Sequence, residues 1–270
     1  MIGFIGAGNM ARSLAGGLIA QGIAPQNILM SDTQATALEQ VQQTLGVQTT
    51  LNNATVIQQA HTVILALKPQ GMKKLLESIQ TTAQTARPLL ISIAAGISCA
   101  SLHRWLGQPL PLVRCMPNTP ALVQMAATAL YATTQTTTQQ RQQAEQILSA
   151  VGLAVWVEEE IQLDAVTALS GSGPAYFFYL MEAMIQAGEK MGLSATLSQQ
   201  LTLQTALGAA YMAQHSKLDP ATLRAQVTSP GGTTAAALAV LEQQQVANHF
   251  IAALKAAQIR ASELAEQADA

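Results

Sequence analysis

The chain has 270 residues, a formal net charge of −2 and only 10% charged side chains. No basic run offers a footprint for nucleic acid or an anionic membrane, and no apolar run reaches the roughly 18 residues of a membrane span, so no nucleic acid and no membrane are expected as partners. Two cysteines, Cys99 and Cys115, lack CxxC spacing, and four histidines lack ligand spacing, so buried free thiols and no metal site are expected. The mean hydropathy of +0.24 reflects abundant Ala and Leu. The start at Met1-Ile-Gly-Phe-Ile5, with no basic leader, fits a soluble, cytoplasmic protein, and the length suits two medium domains.

In chain order, strands are predicted at Met1 to Ile5, Asn27 to Ser31, Val47 to Thr50, Thr62 to Leu67, Leu89 to Ile93, Leu112 to Met116, Thr128 to Ala132 and Ala154 to Glu158. Helical patterns fill the gaps, which is the signature of a βαβ array around a mostly parallel sheet. From Leu163 onward no strand pattern survives. The expected fold class is therefore α/β: an N-terminal Rossmann-type domain over residues 1–159 and an all-helical C-terminal domain over 160–270.

In the second half, Gly192 should end one helix in a left-handed conformation, and Asp219 should cap another with Pro220 at its first position. Gly171-Ser-Gly-Pro174 either begins or kinks a long helix to Met191, because an interior proline removes a hydrogen bond; a plain packing kink explains it equally well. Val246 to Ala268 reads as one amphipathic helix with Lys255, Arg260, Glu263 and Glu266 toward solvent. The oddest stretch is Val227-Thr-Ser-Pro-Gly-Gly-Thr-Thr-Ala-Ala-Ala-Leu238, which interrupts helices with a proline, paired glycines and hydroxyls.

Gly6-Ala7-Gly8-Asn9-Met10-Ala11 follows the first strand and opens a helix, the context in which a GxGxxA pattern binds a dinucleotide. Gly6 permits the tight turn, Gly8 lets the backbone approach a pyrophosphate, and the helix N-terminus offers free N–H groups. Asp32 closes strand two at the place where an acid accepts ribose hydroxyls, which favours NADH. Arg12 could still tolerate the 2′-phosphate of NADPH. Asn53 and the run Leu67-Lys68-Pro69 are further expected cofactor contacts; Lys68 is read as a ribose or phosphate contact rather than a proton donor. Ala95, within Ser92-Ile-Ala-Ala-Gly96, and the run Arg114 to Pro120 end the next two strands with small or turn-forming residues that leave room for nicotinamide.

Taken together, GFIGAGNM at 3–10, ALKP at 66–69, SIAAG at 92–96, MPNTP at 116–120, LSGSGPAY at 169–176 and VTSPGGTT at 227–234 resemble the pyrroline-5-carboxylate reductases. The resemblance spans nearly the whole chain and implies NADPH- or NADH-dependent reduction of a cyclic imino acid to L-proline. It also implies homo-oligomers whose helical domains interlock, a homodimer at least and up to a decamer of dimers. Hydride delivery to a C=N carbon with protonation of nitrogen needs no strong base, so a hydroxyl that orients the imine and backbone donors that hold the carboxylate would supply most of the catalysis. Ser229, Gly231, Gly232, Thr233 and Thr234 are the expected substrate-binding residues. Thr234, by its match to the family motif, is the expected catalytic hydroxyl, while Thr233 and the glycines grip the carboxylate. The family often carries an acid at the position of Ala225 and a His at that of Asp219, and often a polar or basic residue near Asp32, so cofactor choice stays open.

Two other readings stand beside this one. A β-hydroxyacid dehydrogenase relative would need a helical catalytic lysine, for which Lys190 is the only candidate in the long helix, and leaves the SPGGTT loop unexplained. A non-catalytic nucleotide sensor would leave that loop without purpose.

Overall fold

The computed structural model describes residues 1–269. Among the described residues, eight strands form one sheet: β1 (Ile2–Ile5), β2 (Ile28–Ser31), β3 (Gln48–Thr50), β4 (Thr62–Leu65), β5 (Leu89–Ser92), β6 (Leu112–Met116), β7 (Ala126–Ala132) and β8 (Gly152–Trp156). Their order is β3-β2-β1-β4-β5-β6-β7-β8. This is a doubly wound sheet whose strand order reverses between β1 and β4. The central strands are near-continuous apolar runs because helices cover both of their faces; every residue of β2, β4 and β5 is buried.

The connecting helices are α1 (Asn9–Ala20), α2 (Ala35–Leu45), α3 (Asn53–Gln59), α4 (Pro69–Ala86), α5 (Cys99–Leu106) and α6 (Thr138–Ser149). One core unites Phe4, Met30 and Ile64 with Leu14 of α1, Leu38 of α2 and Leu148 of α6. The other unites Ile5, Val63 and Leu65 with Ile57 of α3, Leu76 of α4 and Leu102 of α5. Alternate strand residues thus feed opposite layers, as the pleat requires.

All strand pairs are parallel except β6 and β7, which run antiparallel. Residues 117–125 between them hold only a short 3₁₀ turn, Thr119–Val123, and a parallel return would need a crossover of a dozen residues or more. Helix α6 then supplies that crossover, so β8 lies parallel to β7.

After β8 come α7 (Gln162–Val166), a π-helical turn (Thr167–Gly171), α8 (Gly173–Lys190), α9 (Ala195–His215), α10 (Pro220–Gln226), α11 (Thr233–Gln243) and α12 (Val246–Asp269). The expected punctuation is present. Gly192 has φ of +94°, the Asp219 carboxylate accepts the Thr222 N–H at 2.7 Å, and Lys255, Arg260, Glu263 and Glu266 of the last helix are exposed. Cys99 and Cys115 are both buried and free.

The chain divides into two compact units, Met1–Ser172 joined by the segment from Ala256 onward, and Gly173–Lys255. The C-terminal part of α12 is tied to the first unit by a hydrogen bond from Ser262 Oγ to Asp164 Oδ2 at 2.8 Å. The carboxylate of Asp164 and that of Glu160 face the buried Arg114 guanidinium at 3.8 and 2.8 Å. In the second unit α8 packs on α9, yet Phe177, Phe178, Tyr179, Leu203, Leu207 and Tyr211 are exposed on the single chain. Among the described residues no helix is long and apolar enough to cross a membrane, and no group of three or more His, Cys, Asp or Glu side chains could hold a metal ion.

Candidate active site

The Gly-rich turn sits at the carboxyl end of β1, beside the strand-order reversal. Gly6 has φ of +105°, and a side chain there would collide with the carbonyl oxygen of Ala66, 2.5 Å from the position of a Cβ. The residue must be glycine on both counts. Its N–H donates to Ser31 O at 2.7 Å, tying the turn to β2. Gly8 is the N-cap of α1 and offers no side chain to the helix end. Nothing lies within 4 Å of where its Cβ would be. Open space therefore meets the unsatisfied N–H groups and positive dipole end of α1, an arrangement that binds phosphate.

A cavity of about 470 Å³ extends from this turn and is lined by Gly6, Ala7, Gly8, Asn9, Asp32, Leu67 and Lys68, all expected from the sequence. The same cavity is lined by Arg12, Gln34, Thr36, Ala37, Gln40 and Ala66. Of these, only Arg12 and, as the first residue of ALKP, Ala66 are singled out by the sequence. Thr36 and Gln40 stand one helical turn apart on α2, so their spacing just beyond Asp32 is the available signal. Met10, Asn53, Pro69 and Ala95 do not line this cavity. Asn53 instead accepts a hydrogen bond from Ser31 Oγ at 2.7 Å, joining the end of β2 to the start of α3. Pro69 occupies the first position of α4.

Asp32 does more than face the cavity. Its Oδ2 accepts the Ala7 N–H at 2.8 Å and its Oδ1 the Gln34 N–H at 2.9 Å. The carboxylate thus braces the Gly-rich turn, and each oxygen keeps a lone pair for a further donor. The Arg12 guanidinium is held over the same turn, donating from Nε to Ala7 O at 2.9 Å and from Nη2 to Gln40 Oε1 at 3.1 Å. Unpaired N–H groups at a helix start, a carboxylate with free lone pairs and a cavity of this size fit a nicotinamide dinucleotide.

In the second unit, Ser229 to Gly232 forms a tight turn closed by the Gly232 N–H donating to Ser229 O at 3.0 Å. Pro230 occupies the second position and Gly231, with φ of +69°, the third, the pattern of a type II turn. The turn feeds α11 at Gly232, which again gives the helix no side-chain cap. The N–H groups of its first turn are therefore free to hold an anion. Thr234 is half-buried there while Thr233 is exposed. Ala225 lies in α10 immediately upstream, and Thr228 Oγ1 closes that helix on Arg224 O at 2.6 Å.

A doubly wound sheet with a cavity at its Gly-rich turn, followed by a helical unit, defines the class of nicotinamide-dependent oxidoreductases. Residues 160–264 match the model of the pyrroline-5-carboxylate reductase dimerisation family, and residues 1–96 that of the coenzyme F420-dependent NADP oxidoreductases. A pyrroline-5-carboxylate reductase of Pseudomonas aeruginosa is 53% identical over 98% of this chain and 97% of its own. The solved pyrroline-5-carboxylate reductase of Coxiella burnetii superposes with a TM-score of 0.93 at 43% identity, over 97% of both chains. The pyrroline carboxylate reductase of Plasmodium falciparum, solved with NADP bound, superposes with a TM-score of 0.85 at 28% identity, over 98% of this chain and 97% of its own. The chain belongs to the pyrroline-5-carboxylate reductase family, and its reaction is the NAD(P)H-dependent reduction of 1-pyrroline-5-carboxylate to L-proline.

Proposed function

We propose that the turn at 229–234 is the substrate site, and that it works chiefly by orientation and charge stabilisation. The observation that carries this reading is the uncapped start of α11 directly behind a Pro-Gly turn. The N–H groups of Gly231, Thr233 and Thr234, left accessible because Gly232 carries no side chain, hold the carboxylate of the cyclic imine together with the hydroxyls of Ser229 and Thr233. The Thr234 hydroxyl hydrogen-bonds the ring nitrogen and relays its proton. When bound, the reduced nicotinamide supplies the hydride that adds to the C=N carbon. The proton taken up by nitrogen completes the CH–NH product, so one hydride and one proton account for the change. Placing the reacting atoms in contact and surrounding the developing charge with fixed donors are the two largest contributions such a site can make.

In this reading residues 1–159 bind the cofactor through Gly6, Ala7, Gly8, Asn9, Met10, Asp32, Asn53, Leu67, Lys68, Pro69 and Ala95. Residues 160–270 bind the substrate and a second copy of the chain. The exposed Phe177, Phe178 and Tyr179 support burial of the helical unit against that second copy, and so does the dimerisation family that matches 160–264. A homodimer is the minimal assembly and a decamer of dimers the larger one; sedimentation equilibrium measures both. The place of action is the cytoplasm.

The test is NAD(P)H oxidation dependent on 1-pyrroline-5-carboxylate, in wild type and in Thr234→Ala. Removing a positioned proton donor lowers kcat by about 10²-fold or more, with the cofactor dissociation constant unchanged within twofold. A Thr234→Ala enzyme whose kcat stays within threefold of wild type would exclude the assigned role.

A further inference from the structure

Helix α8 begins at a chemical defect. In a regular α-helix the carbonyl of Ser170 would accept the N–H of residue 174, four positions on. Residue 174 is proline and has no N–H to give. The chain responds by widening into the π-helical turn Thr167–Gly171, in which the Ser172 N–H reaches back five residues to Thr167 O at 2.8 Å. That leaves the carbonyl of Ser170 needing a donor from elsewhere, because an unpaired carbonyl away from water is costly.

The donor comes from a loop 52 residues earlier. Asn118 Nδ2 donates to Ser170 O at 3.0 Å, while its Oδ1 accepts the Ala127 N–H at 2.9 Å. Asn118 is 9% exposed. Beside it, Met116 packs so closely on Gly171 that a Cβ there would stand 2.5 Å from the methionine methyl. Asn118 follows the carboxyl end of β6, in the half of a doubly wound sheet that holds the second mononucleotide, the nicotinamide end, of a dinucleotide. The side chain therefore ties the last turn before α8 to the carboxyl end of β6, the side on which a doubly wound fold presents the nicotinamide.

We propose that Asn118 is a positioning residue for this reaction, its carboxamide standing in for the N–H that Pro174 lacks. It touches neither substrate nor cofactor in this role and acts through the backbone of Ser170. The inference rests on the reductase activity, which wild type measures separately in the same assay.

The experiment is a double-mutant cycle of Asn118→Ala and Pro174→Ala, which asks whether a backbone N–H at position 174 replaces the carboxamide. Asn118→Ala lowers kcat by about 10- to 100-fold, the range set by stranding a half-buried carbonyl. Cofactor affinity, followed by nicotinamide fluorescence, stays within twofold. The primary deuterium isotope effect with 4-deuterated cofactor rises, because hydride transfer has become slow. Pro174→Ala alone stays within threefold of wild type, and the double variant recovers kcat to within threefold because the backbone N–H restored at position 174 bonds Ser170 O. Asn118→Asp keeps the acceptor for Ala127 but cannot donate; it shows the same kcat deficit and serves if Asn118→Ala fails to fold. A double variant no faster than Asn118→Ala overturns the proposal, as does a parallel fall in cofactor affinity or an unchanged isotope effect.

Discussion

Replacing Asp32 by serine tests the cofactor end of the site most directly. Serine keeps one acceptor for the Ala7 N–H, which Asp32 now holds at 2.8 Å, so the Gly-rich turn retains a brace while the charge is removed. A carboxylate about 5 Å from a 2′-phosphate interacts by about 3 kcal/mol per unit charge at an effective dielectric near 20; physiological salt halves this to about 1.5 kcal/mol. The Arg12 guanidinium in the same cavity remains and favours the phosphate once the acid is gone. Hydrogen bonds from ribose hydroxyls to a carboxylate contribute about 1.5–3 kcal/mol, most of which serine forfeits. Together these shift the ratio of kcat/KM for NADH over NADPH by about 100-fold or more toward NADPH. Initial rates with each cofactor at saturating imine give the ratio. A change under threefold, or a strong NADPH preference in wild type, refutes the assignment of Asp32 to the ribose.

Three other perturbations follow from the same geometry. Gly6→Ala forces a side chain against the Ala66 carbonyl at a φ of +105°; it raises the cofactor dissociation constant more than tenfold and costs about 1–3 kcal/mol of stability, read by titration and thermal melting. Arg114→Met leaves Glu160 and the buried Asp164 without their cation, and urea unfolding then shows a loss of about 3–5 kcal/mol; a loss under 1 kcal/mol refutes that reading. Burial pushes the Cys115 thiol well above its usual pKa of about 9. The folded state keeps its proton while the unfolded chain releases it, so this thiol lowers the folding constant by up to tenfold per pH unit above about 9. Cys115→Ala removes that part of the slope, and in wild type a thiol reagent reacts with Cys115 only as fast as the protein unfolds.

Much of the first unit is legible because parallel strands covered on both faces read as unbroken apolar runs, and all eight predicted strands are found. The Gly6 turn is legible because only glycine tolerates its backbone. The direction of β7 is not, since an apolar run carries no sign; the short connection 117–125 decides it. Asp32 is recognisable as an acid at the end of a strand, but its bond to the Ala7 N–H depends on two turns folding side by side. Gly171 to Pro174 stands out as an interruption, whereas the partner that satisfies it, Asn118, is distant in sequence and has no periodic pattern to announce it. Likewise the end of α12 reads as a plain solvated face, with nothing to mark Ser262 as the donor to Asp164.

The bond between Ser262 and Asp164 spans 98 residues, and it bears on how the chain is made. A ribosome adds about 5–20 residues per second, so the eight-stranded sheet emerges roughly 5 to 20 s before the helix end whose Ser262 bonds Asp164. During that interval Asp164 lacks the hydroxyl donor that it holds in the folded chain. Emergence of the segment that carries Ser262, rather than completion of the sheet, is thus the event that finishes this unit.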